Sequence, residues 1–278
     1  MRHQPAHCVE VRQGPLPGVH AVLTDSERGF DKHCHDSFGF GLMDAGAHRS
    51  CSGRGQVVAQ TGDIVTTNPG EMHDGHPVGH HGRRWRIVHL TPAAMAALVG
   101  RADHELNQPV FEDARLRTAI GRMFDHWDAL RSDGAPALAG QWEEALGLAC
   151  GELVARHSEQ ALADRSERLH APGIERVRDC LQSQLAAPPD LGALAALAGL
   201  SRFQLVRQFA RAQGLPPFAW LQQQRLARAR ELIRHGASLS DTAQNCGFAD
   251  QSHLHRHFVR CFGFTPGAWQ RACRPSLQ

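Results

Sequence analysis

Leu191-Gly-Ala-Leu-Ala-Ala-Leu-Ala-Gly-Leu200 and Leu239-Ser-Asp-Thr-Ala-Gln-Asn-Cys-Gly-Phe248 decide the fold of the C-terminal part of this chain, because the second repeats the first. Ala195 matches Ala243 and Gly199 matches Gly247, at an offset of 48 residues. After one inserted residue the match resumes at an offset of 49. Arg207, Phe209, Arg211, Gly214, Pro217, Ala219 and Trp220 recur as Arg256, Phe258, Arg260, Gly263, Pro266, Ala268 and Trp269. Each copy reads as a short apolar helix, a tight turn at Gly, a second helix, a Gly stop, and a new helix opened by Pro. That is the grammar of a helix-turn-helix, written twice on one domain.

Working outward, Ile174, Val177, Leu181 and Leu185 make a leading helix, stopped by Pro188-Pro189. Asp190 and Ser238 occupy matching N-cap places, and Ser201 caps a recognition helix predicted over Arg202–Gln213. The second recognition helix is expected over residues 250–262. Between them Pro217 opens a long helix with Phe218, Leu221, Leu226, Ala229, Leu232 and Ile233 on its inner face. Leu205, Phe209, Leu254 and Phe258 fall at helical spacing and belong to the core. The remaining faces carry Arg202, Phe203, Gln204, Val206 and Arg207 in the first copy, and Gln251, Ser252, His253, His255 and Arg256 in the second.

Charge follows the same division. Residues 172–278 hold thirteen Arg, no Lys and six acids, about +7, whereas residues 1–171 come to about −5. A basic half beside a mildly acidic one suggests a polyanion partner for the basic half alone. The eight cysteines are scattered with no C-x-x-C pair, which excludes a zinc finger and argues for reduced thiols rather than a disulfide frame. The N-terminus has no apolar signal core and nothing approaches 18 consecutive apolar residues, so a cytoplasmic protein without a membrane partner is expected.

Residues 1–100 alternate short apolar segments with turn signals. Strands are predicted at residues 38–43, 56–59, 63–67 and 84–90, punctuated by Asp44-Ala-Gly46, Ser52-Gly53, Thr61-Gly62 and Asn68-Pro-Gly70. Such a series argues for an all-β sandwich or barrel. Within it stand His33-Cys-His35-Asp36 and Gly62-Asp-Ile-Val-Thr-Thr-Asn-Pro-Gly-Glu-Met-His73. His33 and His35 alternate on one face of a strand, a neighbouring strand can add a third imidazole, and His89 is placed to be a fourth. The candidate ligand-binding residues are His33, His35, Asp36, Glu71, His73, Trp85 and Arg86, a mixture suited to an amino acid, an organic acid or a sugar. His33, His35 and His73 are also the candidate metal ligands, although no cofactor is required by this reading. The run from Gly79 through Arg84 reads as an exposed loop.

These two motifs resemble those of the cupin family of jelly-roll barrels, with the second motif shifted. The resemblance implies one divalent ion held by such histidines together with a Glu. The expected Glu place falls among residues 38–40, which carry no carboxylate.

Residues 101–157 carry two amphipathic patterns. Leu116, Ile120, Met123, Phe124, Trp127 and Leu130 form the first; Leu138, Trp142, Leu146, Ala149 and Leu153 form the second, after a turn at residues 132–136. They predict a helical hairpin that caps the barrel with one face and pairs with a second subunit through another. Residues 158–173 read as a polar linker, and residues 174–278 as the DNA-binding domain.

The C-terminal domain resembles the DNA-binding domain of the AraC/XylS family of bacterial transcription regulators. The resemblance rests on Gly-Phe-x-Asp-Gln-Ser at 247–252, Arg-x-Phe at 256–258 and Gly-Phe-Thr-Pro at 263–266. A cupin-like barrel followed by a helix pair is also the usual effector-sensing half of that family. The resemblance implies two recognition helices in successive major grooves, a small-molecule effector, a homodimer, contact with RNA polymerase and, by expectation, activation. Arg207 and Arg256, at matched positions, are the best candidates to bridge guanine O6 and N7; Gln204 and Gln251 suit adenine, and Phe203 and Val206 suit thymine methyls. Arg211, Arg260 and Arg271 suit phosphates. Ala210 and Val259 depart from the family, which commonly has a basic residue there. His253, His255 and His257 are expected to add charge below about pH 6.5. Two rival readings are a metal-dependent cupin enzyme carrying a DNA-binding domain and a constitutive DNA-binding protein whose barrel only dimerises.

Overall fold

The computed structural model describes residues 7–52, 54–79, 82–100, 104–133, 136–160 and 172–273. The chain divides into two compact units, Met1–Ala161 and Leu162–Gln278. The expected loop residues 80–81 and most of the expected linker, 161–171, lie outside the described residues.

The first unit is built from two larger antiparallel sheets and a two-stranded ribbon. One has the order β1 (His7–Gln13), β2 (Val19–Ser26), β9 (Arg83–Leu90), β4 (Phe38–Ala45), β7 (Ile64–Thr67), β11 (Val110–Phe111); the other has β3 (Phe30–His33), β8 (His73–Pro77), β5 (Ala47–Ser52), β6 (Gly55–Gln60). The period of two along β4 separates two cores. Phe38, Phe40 and Leu42 join Val19, Ala21, Ile64, Val88 and Leu90 on the outer face of the larger sheet. Met43 points the other way and meets Phe30, Ala59 and Trp85, residues drawn from both sheets, in the interior.

The outer face is covered by α2 (Ala114–Asp133) and α3 (Pro136–His157) through Leu116, Ile120, Phe124, Trp127, Trp142, Leu146 and Leu153. Trp127 and Trp142 meet edge to face at 4.8 Å. The barrel does not stop near residue 100. Helix α1 (Pro92–Val99), capped by Thr91, is followed by β10 (His104–Leu106) and then by β11, which pairs with β7. The first residues of the expected linker form β12 (Ser158–Gln160), antiparallel to β10. These short strands escape a sequence reading because pairing across residues 104–160 creates them, not local periodicity.

The second unit contains α4 (Pro172–Ser183), α5 (Leu191–Ala198), α6 (Arg202–Gln213), α7 (Pro217–Arg234), α8 (Leu239–Asn245), α9 (Gln251–Phe262) and α10 (Pro266–Cys273). Asp190, Ser201, Ser238 and Asp250 each accept the N–H three residues on, closing the N-termini of α5, α6, α8 and α9. Gly199 and Gly247 take φ of 68° and 75°, the left-handed turn between the helices of each copy. Helix α7 packs against α4, α6, α8, α9 and α10, so it fixes both helix pairs on one frame. Its buried face is Trp220, Leu221, Leu226, Ala229, Arg230 and Ile233. Phe218, expected inside, is 43% exposed, and Trp220 makes the contact with Phe209 at 5.7 Å. Among the described residues no helix is long and apolar enough to cross a membrane.

Candidate DNA-reading helices and effector site

The recognition helices seat themselves through the residues that the repeat marks as core. Leu205 and Phe209 in α6, and Leu254 and Phe258 in α9, are fully buried. Their opposite faces lie open: Arg202, Phe203, Gln204, Arg207, Gln251, Ser252, His255 and Arg256 are exposed, and Val206 is half-buried. Phe203 is 70% exposed, with the Arg207 guanidinium 5.6 Å above its ring. A large apolar ring left in water beside a guanidinium suits a groove wall with thymine methyls next to a guanine edge.

Three of the sequence-derived readers have local duties. Gln204 closes a capping box: its Oε1 accepts the Ser201 N–H at 3.0 Å, which leaves its amide NH₂ for a base. Arg202 lies back over the first turn of α5; after the Ala193 and Gly192 backbone N–H groups, its charge helps hold the Asp190 carboxyl below the usual range. His253 accepts the Ala249 N–H at 3.2 Å and packs against Phe248 and His257. Ala249 is the inserted residue. Gly199 stands two residues before its N-cap Ser201, and Gly247 three before Asp250, so the insertion lies in the turn and His253 satisfies its extra donor. The expected gain of charge at His257 is corrected: burial, then the neighbouring His253, Arg260 and Arg256, holds its pKa below 6.5. Arg211, Arg260 and Arg271 are exposed, as phosphate contacts require.

In the barrel, His33 ends β3 and pairs in register with His73, the first residue of β8. Their ring centroids are 4.5 Å apart. His35 lies past the end of β3 rather than on it, yet its ring sits 5.0 Å from His33 and 5.2 Å from His73. It also lies 4.8 Å from His89, which stacks on His20 at 4.9 Å. The rings form a line from the smaller sheet to the larger one. His20 escapes a sequence reading because β2–β9 pairing, not spacing, sets it opposite His89. Gly39 faces His89 in the next register, and a Cβ there would stand 3.3 Å from the imidazole. The inner side of Gly39, among the residues where a cupin would carry its Glu, is therefore filled by the Thr67 hydroxyl and then by the His89 ring.

Carbonyl oxygens only accept, so the contacts of His33 Nδ1 with Asp31 O at 2.6 Å and of His73 Nδ1 with Glu71 O at 2.9 Å place the protons on Nδ1. The Nε2 atoms are then the acceptors. Burial lowers the His73 pKa, against the opposing influence of the Glu71 carbonyl and carboxylate, which keeps that ring neutral. The Thr67 hydroxyl lies beside Gly39 and His89, buried without a hydrogen-bond partner among the described residues.

Other residues of the expected ligand set lie elsewhere. Asp36 is exposed. The Glu71 carboxylate is taken by the Asn68 backbone and side-chain N–H groups, both at 3.1 Å. Trp85 points into the barrel core, and Arg86 points out, paired with Asp44 at 2.8 Å and over Phe124 at 4.7 Å. Adjacent strand residues face opposite sides; both nevertheless border one open groove with Glu10, Leu23 and Asp44, which none of the clustered histidines lines.

Arg83, expected in an exposed loop, is fully buried in β9. It donates to Arg28 O at 2.9 Å and to His48 Nδ1 at 3.0 Å, and stands 4.7 Å over Trp85. Burial, then the Arg83 charge, pushes the His48 pKa down to about 3. His48 thus folds neutral, while in the unfolded chain it takes a proton near pH 6.5. The unfolded state binds the extra proton, so barrel stability falls as pH drops below 6.5 and goes on falling toward pH 3. Melting temperatures across that range should decline in the parent, and the decline should be shallower in His48→Gln. Parallel slopes would refute the assignment.

A barrel with an inward line of imidazoles, joined in one chain to a pair of capped helix-turn-helix units with open recognition faces, defines a ligand-binding, DNA-binding regulator. Residues 20–146 match the AraC-like ligand binding domain, and residues 194–272 match a helix-turn-helix domain. The chain thus carries an AraC-like ligand-binding domain and a helix-turn-helix domain, and the relatives it resembles are named as transcriptional regulators or activators. It is 25% identical over 226 residues to the HTH-type transcriptional regulator YbfI of Bacillus subtilis, covering 81% of each chain. It is 31% identical over 178 residues to the transcriptional activator NphR of a Rhodococcus species, covering 63% of this chain and 52% of that one. It is 30% identical over 147 residues to the activator RhaR of Pectobacterium carotovorum, covering 52% and 51%. The chain thus spans about half the length of the last two. Its fold is shared with ToxT of Vibrio cholerae, at a TM-score of 0.54 and 9% identity over 92% of this chain and 98% of ToxT.

Proposed function

We propose that this regulator is a transcription activator controlled by a small hydrogen-bond-donating effector, a sugar or an amine, held at the histidine line of the barrel. The observation that carries the reading is the pair of Nδ1–carbonyl contacts, which turns the Nε2 atoms of His33 and His73 into acceptors. Acceptors suit hydroxyl or ammonium groups and repel carboxylates, so an organic acid fits poorly. Activation follows NphR and RhaR, both named as activators. The chain acts in the cytoplasm without catalysing a reaction, binds duplex DNA, contacts RNA polymerase, and works as a homodimer. Leu148, 62% exposed on α3, supports a subunit contact on the helical hairpin. Effector binding shifts the population of DNA-competent dimers.

One observation favours a second reading. The ligand atoms of His33, His35 and His73 lie within 4.8 Å of one another. Three imidazoles suit zinc or a similar ion, and carbonyl-anchored Nδ1 atoms are the usual outer support of such ligands. On this reading the ion is the effector or holds it.

A thermal-shift screen of sugars, amines, amino acids, organic acids, fatty acids and divalent metals separates these outcomes. At a hundredfold excess over Kd a true effector should stabilise the barrel by about 2.7 kcal/mol. A sugar or amine should do so, lose its effect in His73→Ala, and change DNA affinity. Stabilisation by fatty acids or organic acids alone, or by nothing, would contradict the proposal.

A further inference from the structure

We propose that residues 68–73 are a mechanical relay, carrying occupancy of the histidine cluster to the ribbon of β10 and β12. This rests on the reading of that cluster as the effector site. The ribbon matters because β12 ends at Gln160, where the chain leaves the barrel unit toward the DNA-binding unit.

Each link is a specific contact. At the cluster end, His73 Nδ1 donates to Glu71 O at 2.9 Å, and the Gly70 N–H donates to His35 O at 2.7 Å. The segment is therefore gripped by two of the three clustered histidines. Within it the Glu71 carboxylate accepts from the Asn68 N–H and amide at 3.1 Å and lies 3.6 Å from Arg54 Nε. At the far end Asn68 behaves like a strand partner of Leu106: its Oδ1 accepts the Leu106 N–H at 2.8 Å and its Nδ2 donates to Leu106 O at 3.2 Å. Arg54 closes the same joint, donating to Leu106 O and, at 3.0 Å, to Glu105. Leu106 and Glu105 sit opposite Ser158 and Glu159 in the β10–β12 register.

The geometry has a physical consequence. A ligand that draws His33, His35 and His73 together moves Gly70 and Glu71, because their backbones are bonded to those residues. Asn68 and Arg54 pass that displacement to β10, and the ladder passes it to β12. Leu106 is buried in the hydrophobic core, so the joint shifts as a packed unit rather than dissipating in a loose loop. Coupling of this kind shows as a free-energy difference between the ribbon with and without ligand.

The test uses zinc chloride as the probe of the cluster and hydrogen exchange on the full-length chain as the readout. In the parent, zinc should slow exchange of the amides of 104–106 and 158–160 by about tenfold, and leave the C-terminal helices unchanged. In Asn68→Ala and in Arg54→Gln, zinc should bind as in the parent while the ribbon no longer responds. A ribbon that responds equally in both variants, or that ignores zinc bound to the parent, overturns the relay. If zinc does not bind the parent, the metal reading of the cluster fails separately, and His73→Ala decides the relay without a ligand. Loss of its Glu71 contact should speed exchange in the ribbon; unchanged exchange there overturns the proposal.

Discussion

Phe258→Ala should destabilise the C-terminal unit by about 3–5 kcal/mol and remove specific DNA binding. Phe258 is fully buried under α9, edge-on to Phe262 at 4.7 Å and to Phe264 at 5.7 Å. Truncation leaves a cavity that these rings cannot close without leaving Trp269, which stacks on Phe264 at 6.0 Å. A domain holds only about 5–15 kcal/mol in all, so the loss takes a large share of it. The second recognition helix loses its seat, and Gln251, Ser252 and Arg256 lose their common frame. Urea unfolding of the whole chain, followed by probes in each unit, should show the C-terminal transition move to lower urea while the barrel transition stays. Movement of both, or of neither, would contradict the core assignment.

Gly41→Ala should cost the barrel about 3 kcal/mol, the upper end of the range for overpacking. Gly41 lies in the middle of β4, between Val65 of β7 and Ile87 of β9. A Cβ at that position would stand 1.9 Å from Arg86 O and 2.7 Å from Ile87 Cα, and backbone atoms of a central strand cannot swing aside. Relief requires parting β4 from β9, which carries His89 and one side of the proposed effector site. Gly121→Ala is the matched control. It lies in α2, where an added Cβ would meet nothing within 4 Å, so there alanine should stabilise by about 0.5–1 kcal/mol. Equal melting temperatures for Gly41→Ala and the parent would remove the close strand approach from the account.

The helical half is legible in the sequence because its signals are local. Caps at Asp190, Ser201 and Ser238 and turns at Gly199 and Gly247 each act within a few residues, and the repeat states them twice. His253 passes for a base reader for a similar local reason: its duty follows from the placement of one inserted residue, which the sequence shows but does not locate in the turn. The barrel is half legible. Alternating β4 and β9 declare themselves, but β5 and β8 are rich in His, Ser and Gly, and they exist because each has a partner strand. Arg83 shows the limit most plainly. Nothing beside it in sequence announces burial, since its acceptors at Arg28 and His48 come from distant strands and loops. The proposed effector site is legible as three spaced histidines, while His20 and the duty of Glu71 depend on contacts across the sheets.

The claim that two unlike recognition helices on one frame read a directional site is tested most directly by selecting duplexes from a random pool with the full-length chain. The selected sequences are then measured against Arg207→Ala and Arg256→Ala. The account predicts an asymmetric site covering two major grooves about one helical turn apart. Arg207→Ala should relax base preference in one groove and Arg256→Ala in the other, each with a loss of about 1–3 kcal/mol. A pool that never converges, or two variants that relax the same base pairs, would contradict it.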